Sequence, residues 1–297
     1  MGYRPPVRIG IVILPDERWS EAGRRWRLAE EYGFDHAWTY DHLGWRDLVD
    51  GPWFDAVPTL TAAAMVTSTL RLGTFVASPN FRNPVHFARE AHALDDISRG
   101  RLMLGVGAGG TGFDTDVFGD IPLTPGRRVD RFAEFLELFD QLLTQDHISY
   151  DGKYYRCVDA RTLPGPVQQP RPPLIVAANG PRSLRLAARH GDGWVTTGAQ
   201  AVDDEAAWWR SVAEASERFG QAVERAVRTG VDRYLNLDSS PVYSLSSPQA
   251  FEDAVGRAGE LGFTDVLTHW PRSSSWYAGD EKVLETVAGR LPALRDS

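Results

Sequence analysis

What most constrains this chain is an end-to-end alternation of short β-type runs with longer helical stretches. The candidate strands are Val7–Leu14, Phe34–Thr39, Arg71–Ala77, Arg101–Gly107, Leu174–Ala178, Trp194–Thr197, Arg233–Leu237 and Phe263–His269. Eight strands, each followed by a helical stretch, is the count a closed (β/α)8 barrel requires. Several are nearly continuous apolar runs, the pattern of a parallel sheet covered by helices. The length of 297 residues suits such a barrel with insertions. The expected fold is α/β, a (β/α)8 TIM barrel with insertions, with residues 1–297 forming one domain.

Helix entries support this reading. Asn83-Pro84, Thr124-Pro125, Gly180-Pro181 and Ser247-Pro248 each place a candidate cap before a proline suited to the first helical position. Val129, Phe132, Leu136, Phe139 and Leu143 recur at helical spacing, as do Trp19, Ala22, Trp26 and Ala29, so each set predicts one buried stripe. Gly33 is expected to stop the first helix. The stretches Asp41–Phe54, Gly109–Thr124, Asn236–Ser247 and Trp270–Asp280 follow strands and belong on the catalytic face of a barrel. Gln145–Pro173 follows a helix, begins on the opposite rim, and contains a hairpin pattern around Asp151-Gly152.

Composition removes several function classes. The net charge of -8 argues against a generic nucleic-acid or anionic-membrane binder. No apolar run approaches the roughly 18 residues of a membrane span, and the opening MGYRPPVR predicts no signal peptide. One cysteine, Cys157, cannot form an internal disulfide, so a cytoplasmic location is expected. The seven histidines form no H-x-H or H-E-x-x-H pair, and no metal site is expected. The G-x-S-x-G elbow of an α/β-hydrolase is missing, which also disfavours a hydrolase.

Four strand ends carry candidate chemistry. Tyr40-Asp41-His42 closes the second strand, and a histidine there can move a proton near neutral pH. An isolated Asp-His pair is more readily an Asp capping a turn and a His packed under Trp45. Thr74-Phe-Val-Ala-Ser-Pro79 ends the third strand at a proline-forced turn. Gly105-Val-Gly107-Ala-Gly109-Gly110 matches G-x-G-x-x-G but follows the fourth strand and opens a loop. It reads as bare backbone near a flat ligand, or as a simple turn. Asn179-Gly180-Pro181 offers free helix N–H groups suited to a phosphate.

Glu31-Tyr-Gly-Phe-Asp-His-Ala-Trp-Thr-Tyr-Asp-His-Leu43, Leu72-Gly-Thr-Phe-Val-Ala-Ser-Pro-Asn-Phe-Arg-Asn-Pro84, Leu94-Asp-Asp-Ile-Ser-Arg-Gly-Arg-Leu-Met-Leu-Gly-Val-Gly-Ala-Gly109 and Ala187-Ala-Arg-His-Gly-Asp-Gly-Trp194 occur in that order. Together they resemble the luciferase-like monooxygenase superfamily of flavin- and deazaflavin-dependent barrels. The resemblance implies a cofactor across the top of the barrel. It places Asp41 and Ser78 against the ring system, and a Phe75-Val76 bulge beneath it, often a non-proline cis peptide. Gly107, Ala108 and Gly109 would line the ring edge, while Asn179, Gly180 and Pro181 would hold the ribityl-phosphate end. His42 matches the proton donor of deazaflavin-dependent members. The glutamate that sugar-phosphate dehydrogenases of this family carry near the position of Gly110 is missing here.

The Asp-His ending looks more like the deazaflavin branch, so the expected activity is an F420-dependent oxidoreductase transferring hydride to or from a small organic substrate. FMN-dependent monooxygenation with a separate reductase partner is the alternative, and a non-catalytic flavin-binding barrel is the second. Trp45, Trp53, Phe113 and Trp270, with Phe54 and Trp276, are the expected substrate pocket, or else dimer packing, since such proteins commonly form homodimers. Arg82, Arg127, Arg128, Arg131 and Arg182 are candidates for a basic path to an anionic cofactor tail, each also readable as merely solvated.

Overall fold

The computed structural model describes residues 6–119 and 121–295. Ten strands occur among them. They are β1 Arg8–Val12, β2 His36–Thr39, β3 Arg71–Thr74, β4 Leu102–Gly107, β5 His147–Asp151, β6 Arg156–Arg161, β7 Leu174–Ala177, β8 Gly193–Thr196, β9 Asp232–Asn236 and β10 Asp265–His269. Eight close into a parallel barrel in the order β1-β10-β9-β8-β7-β4-β3-β2, matching the eight expected from the sequence. The remaining pair, β5 and β6, is the expected antiparallel hairpin.

The helices are α1 Trp19–Glu31, α2 Ala56–Val66, α3 Pro84–Ile97, α4 Phe113–Asp116, α5 Pro125–Thr144, α6 Pro181–His190, α7 Glu205–Arg225, α8 Pro248–Glu260, α9 Glu281–Ala288 and α10 Leu291–Arg295. All four predicted proline entries begin helices, and Asn83, Thr124 and Ser247 accept from backbone N–H groups in the first turn. The α5 stripe is broader than expected, because Phe135, Leu138 and Leu142 are also buried. Trp19, expected in the buried stripe, is 38% exposed at the start of α1, where it lies over Gly23. The turn α4 forms where a loop was expected, held by tertiary contacts of Asp114.

Strand alternation decides which side chains reach the barrel interior. Val12, Leu14, Trp38, Tyr40, Met103, Ile175, Val195, Tyr234 and Leu267 form the inner cluster, while Ile9, Ile11, Ala37, Leu72, Leu104 and Val266 face the helices. Inner glycines make room for the large rings. A Cβ on Gly73 would lie 2.3 Å from Trp38, and one on Gly193 would lie 2.8 Å from Tyr234.

The N-terminal end of the barrel is closed by charge. Arg8 binds Asp265 through two hydrogen bonds of 2.7 Å and reaches Asp232 at 2.6 Å. Trp38 Nε1 donates to His36 Nδ1 at 2.6 Å, so the His36 proton sits on Nε2 and is donated to Asp265 at 3.0 Å. No helix among the described residues is long and apolar enough to cross a membrane.

Candidate active site

The alternation of β2 carries on past its end, so that after His36 and Trp38 the rings of Tyr40 and His42 stand at the C-terminal mouth. Tyr40 is buried there, with the rings of His42, Trp45, Trp53, Phe75 and His269 centred 5.1–6.4 Å from its own. His42 follows at the rim with its side chain 30% exposed. Its Nδ1 lies 2.6 Å from Oδ2 of Asp114, while the other Asp114 oxygen accepts from the Leu43 N–H at 2.7 Å. A carboxylate can only accept, so His42 Nδ1 carries the proton in the neutral ring. Nε2 then has a free lone pair and no protein partner among the described residues.

Asp41, one residue earlier, points the other way. Its carboxylate forms a forked pair with Arg82, at 3.0 Å to Nε and 2.6 Å to Nη2, and both side chains are buried. Arg82 also reaches Asp55 and Glu90, so the expectation that it is merely solvated is corrected. This cluster ties the β2 end to the loop after β3, which contains the ring-supporting candidates. The Phe75-Val76 peptide is cis, as the family pattern predicts. Phe75 packs on Trp38 and Tyr40, and Ser78 is buried and meets the Asn80 N–H.

The glycines at and just after the end of β4 lie against protein side chains. A Cβ on Gly107 would lie 2.8 Å from Val76, and one on Gly109, at φ 74°, would lie 2.6 Å from Asn80. Their bareness therefore already admits two protein side chains. Ala108 is half-buried against the outer core, and Gly110 borders open space.

A cavity of about 250 Å³ adjoins this loop, with Asn80, Gly110, Thr115, Arg128, Arg131 and Tyr154 in its wall. Tyr154 comes from the β5–β6 hairpin, whose tip is anchored by Glu134 accepting from three successive backbone N–H groups. Within this wall Thr115 Oγ1, Arg131 Nε and the Tyr154 hydroxyl are buried without hydrogen-bond partners among the described residues. Arg131 otherwise donates to Asn80 at 2.6 Å. Arg182 is paired with Asp130. At the start of α6, Asn179 bonds Thr196 and Thr197, Gly180 is the cap, and Pro181 is the first helical residue.

The aromatic pocket divides. Trp53 donates from its indole to the His42 carbonyl, and Trp45 stacks on Tyr277 and meets Trp276 edge-on. Phe113 is partly exposed and lies over Gly44. Trp270 does not belong. It shares the outward parity of Val266 and Thr268, so it stacks on Tyr32 of the helical layer and donates to Glu281 at 2.9 Å. His269, one residue earlier, is the inward group that sequence reading missed. Asp114 was also missed, because nothing in the sequence distinguishes it from other loop aspartates.

The family model for luciferase-like monooxygenases matches residues 3–268. An F420-dependent glucose-6-phosphate dehydrogenase of Amycolatopsis mediterranei is 31% identical over 264 residues, covering 82% of this chain and 77% of that protein. An F420-dependent hydroxymycolic acid dehydrogenase of Mycobacterium tuberculosis is 34% identical over 201 residues, covering 66% of this chain and 53% of that one. The solved structure of an F420-dependent secondary alcohol dehydrogenase with an F420-acetone adduct has the same fold, with TM-score 0.82 at 19% identity, covering 98% and 100% of the two chains. The closed barrel, the Asp-His end of β2 and the match over nearly the whole length agree, and the chain belongs to the luciferase-like monooxygenase family.

Proposed function

We propose that this protein is an F420-dependent oxidoreductase that moves hydride between the deazaflavin and a small organic substrate at the mouth of the barrel. The observation that carries this reading is the His42–Asp114 pair, an oriented imidazole with Nε2 free at the rim. The names of the relatives favour the deazaflavin.

The residues present fit such a cofactor. Arg131 Nε, Thr115 Oγ1 and the Tyr154 hydroxyl are buried polar groups that lack partners among the described residues, in the wall of a cavity beside the loop after β4. Buried polar groups without hydrogen bonds are costly, and an anionic tail would satisfy them. Asn179 and the free N–H groups of the first α6 turn would serve the ribityl-phosphate part. Phe75, Val76 and Ser78 would lie against the ring. Asp41 would act through Arg82, holding the β2 end and the loop after β3 together. When bound, the deazaflavin supplies a hydride-accepting or hydride-donating carbon and reacts poorly with oxygen. His42 Nε2, a free acceptor in the resting ring, takes up a proton beside the reacting substrate and returns it once charged, and Asp114 keeps the Nδ1–H tautomer. Trp45 and Trp53 exclude water from that face.

The test is titration of the purified protein with F420 and with FMN, followed by absorbance and fluorescence. Tight F420 binding that weakens in Arg131→Ala supports the reading. Binding of FMN alone would move the protein to the monooxygenase branch, with a separate reductase partner. A homodimer is proposed on family grounds only.

A further inference from the structure

A second polar chain starts beneath the same mouth. Asp238, in the 3-10 turn after β9, accepts from His269 Nδ1 at 2.9 Å, from the His269 N–H at 2.6 Å and from Ser244 N–H at 2.9 Å. Thr268 Oγ1 donates to it at 3.2 Å. His269 Nε2 lies 2.9 Å from the Tyr40 hydroxyl, which lies 2.8 Å from the Tyr277 hydroxyl. Asp238, His269 and Tyr40 are buried, whereas Tyr277 is half-buried and lines an open cleft with Asp47, Tyr243 and Trp276.

The chain has a direction. Asp238 can only accept, so the His269 proton is on Nδ1 and Nε2 is an acceptor. Tyr40 must then donate to Nε2, and Tyr277 must donate to Tyr40. Burial lowers the His269 pKa, with Asp238 opposing it, which agrees with a neutral resting ring. Every link therefore points inward, away from the cleft. Such an array can take up a proton at Tyr277 but has none to give. Tyr277 and Ser275, both at φ 62°, hold the loop in left-handed backbone that non-glycine residues rarely adopt, a feature that clusters at functional sites.

We infer that Tyr277, Tyr40, His269 and Asp238 form a proton-accepting relay for the oxidation of a substrate hydroxyl, separate from the His42–Asp114 pair. The inference rests on the oxidoreductase reading above. With an oxidised deazaflavin bound, the substrate C–H hydrogen would leave together with its bonding electron pair as hydride to that cofactor, and the O–H bond would break with its proton going to the Tyr277 oxygen. The Tyr277 proton shifts to Tyr40, the Tyr40 proton shifts to His269 Nε2, and the resulting imidazolium is paired with Asp238. The carbonyl product leaves, and the proton returns along the chain to solvent. Arg46, over the Trp45 and Trp276 rings, Asp47, which accepts from Ser275 and Trp276 in the cleft wall, and Arg272, Tyr243 and His42 are other titratable or charged groups around this chain.

Two measurements test it. Nitrogen-15 NMR of the full chain with labelled histidine should show His269 neutral at pH 7 as the Nδ1–H tautomer, with Nε2 shifted by a hydrogen bond that weakens in Tyr40→Phe. A charged His269, or a proton on Nε2, overturns the relay without any substrate. The second measurement follows F420 reduction by isopropanol, cyclohexanol and 1-phenylethanol after F420 binding has been established. Tyr277→Phe should bind F420 like the parent and reduce it about 100-fold more slowly, with the solvent deuterium isotope effect altered. Failure to bind F420 removes the cofactor reading instead. Binding with no reduction by any of the alcohols, or full-rate reduction by Tyr277→Phe, overturns the relay alone.

Discussion

Oδ2 of Asp114, on a single helical turn after β4, sits 2.6 Å from Nδ1 of His42 at the end of β2. The two residues are 72 positions apart, and their contact fixes the orientation and tautomer of a rim histidine. The short α4 turn is held in the same way, since the second Asp114 oxygen binds the Leu43 N–H.

His42→Ala should lower turnover by about 10²–10⁴ while F420 affinity stays near that of the parent, as expected for loss of a group acting in proton transfer. Asp114→Asn should lose less, because the imidazole remains but its tautomer is no longer enforced. Steady-state kinetics beside a fluorescence binding isotherm check both. Full turnover in His42→Ala would reduce His42 to a packing role.

The Asp41–Arg82 pair should behave as a buried ion pair. Arg82→Met leaves the Asp41 carboxylate uncompensated and should cost about 3–5 kcal/mol of stability. Urea denaturation measures this, and the double variant Asp41→Leu with Arg82→Met should recover part of the loss. A change below 1 kcal/mol for the single variant would show that the cluster tolerates an unpaired charge.

Acid stability should depend on Asp265. Burial pushes its carboxyl up, but His36 and Arg8 together hold it below the ordinary carboxylate range. A folded-state pKa below the unfolded one means the stabilisation is complete above the unfolded value of about 4 and disappears as pH falls through the folded value. Urea midpoints from roughly pH 6 to pH 3 should therefore fall, and the fall should be shallower in Asp265→Asn. An equal slope in the two proteins would assign acid lability to other groups.

Trp270→Phe separates packing from pocket. It removes the hydrogen bond to Glu281 and should cost about 1 kcal/mol. KM for any alcohol the protein oxidises should be unchanged, whereas Trp53→Phe should alter it. A changed KM in Trp270→Phe would place that ring back at the substrate.

The alternation of apolar runs, the proline entries and the ordered motifs around Asp41-His42 and Phe75-Val76 made the barrel, its family and the ends of its strands legible in the sequence alone. Each depends on neighbours within a few residues, so local spacing carries the information. Trp270 shows where that reading failed: aromatic character drew it into the pocket, but its parity along β10 turns it outward and brings His269 in. The partners were not legible at all. Asp114 for His42, Arg82 for Asp41, Tyr277 and His269 for Tyr40, and Tyr154 beside Arg131 all come from separate strand ends, helices or loops far apart in the chain. Only closing eight strands into a ring brings those segments together, and no periodicity along the chain encodes which side chains then meet.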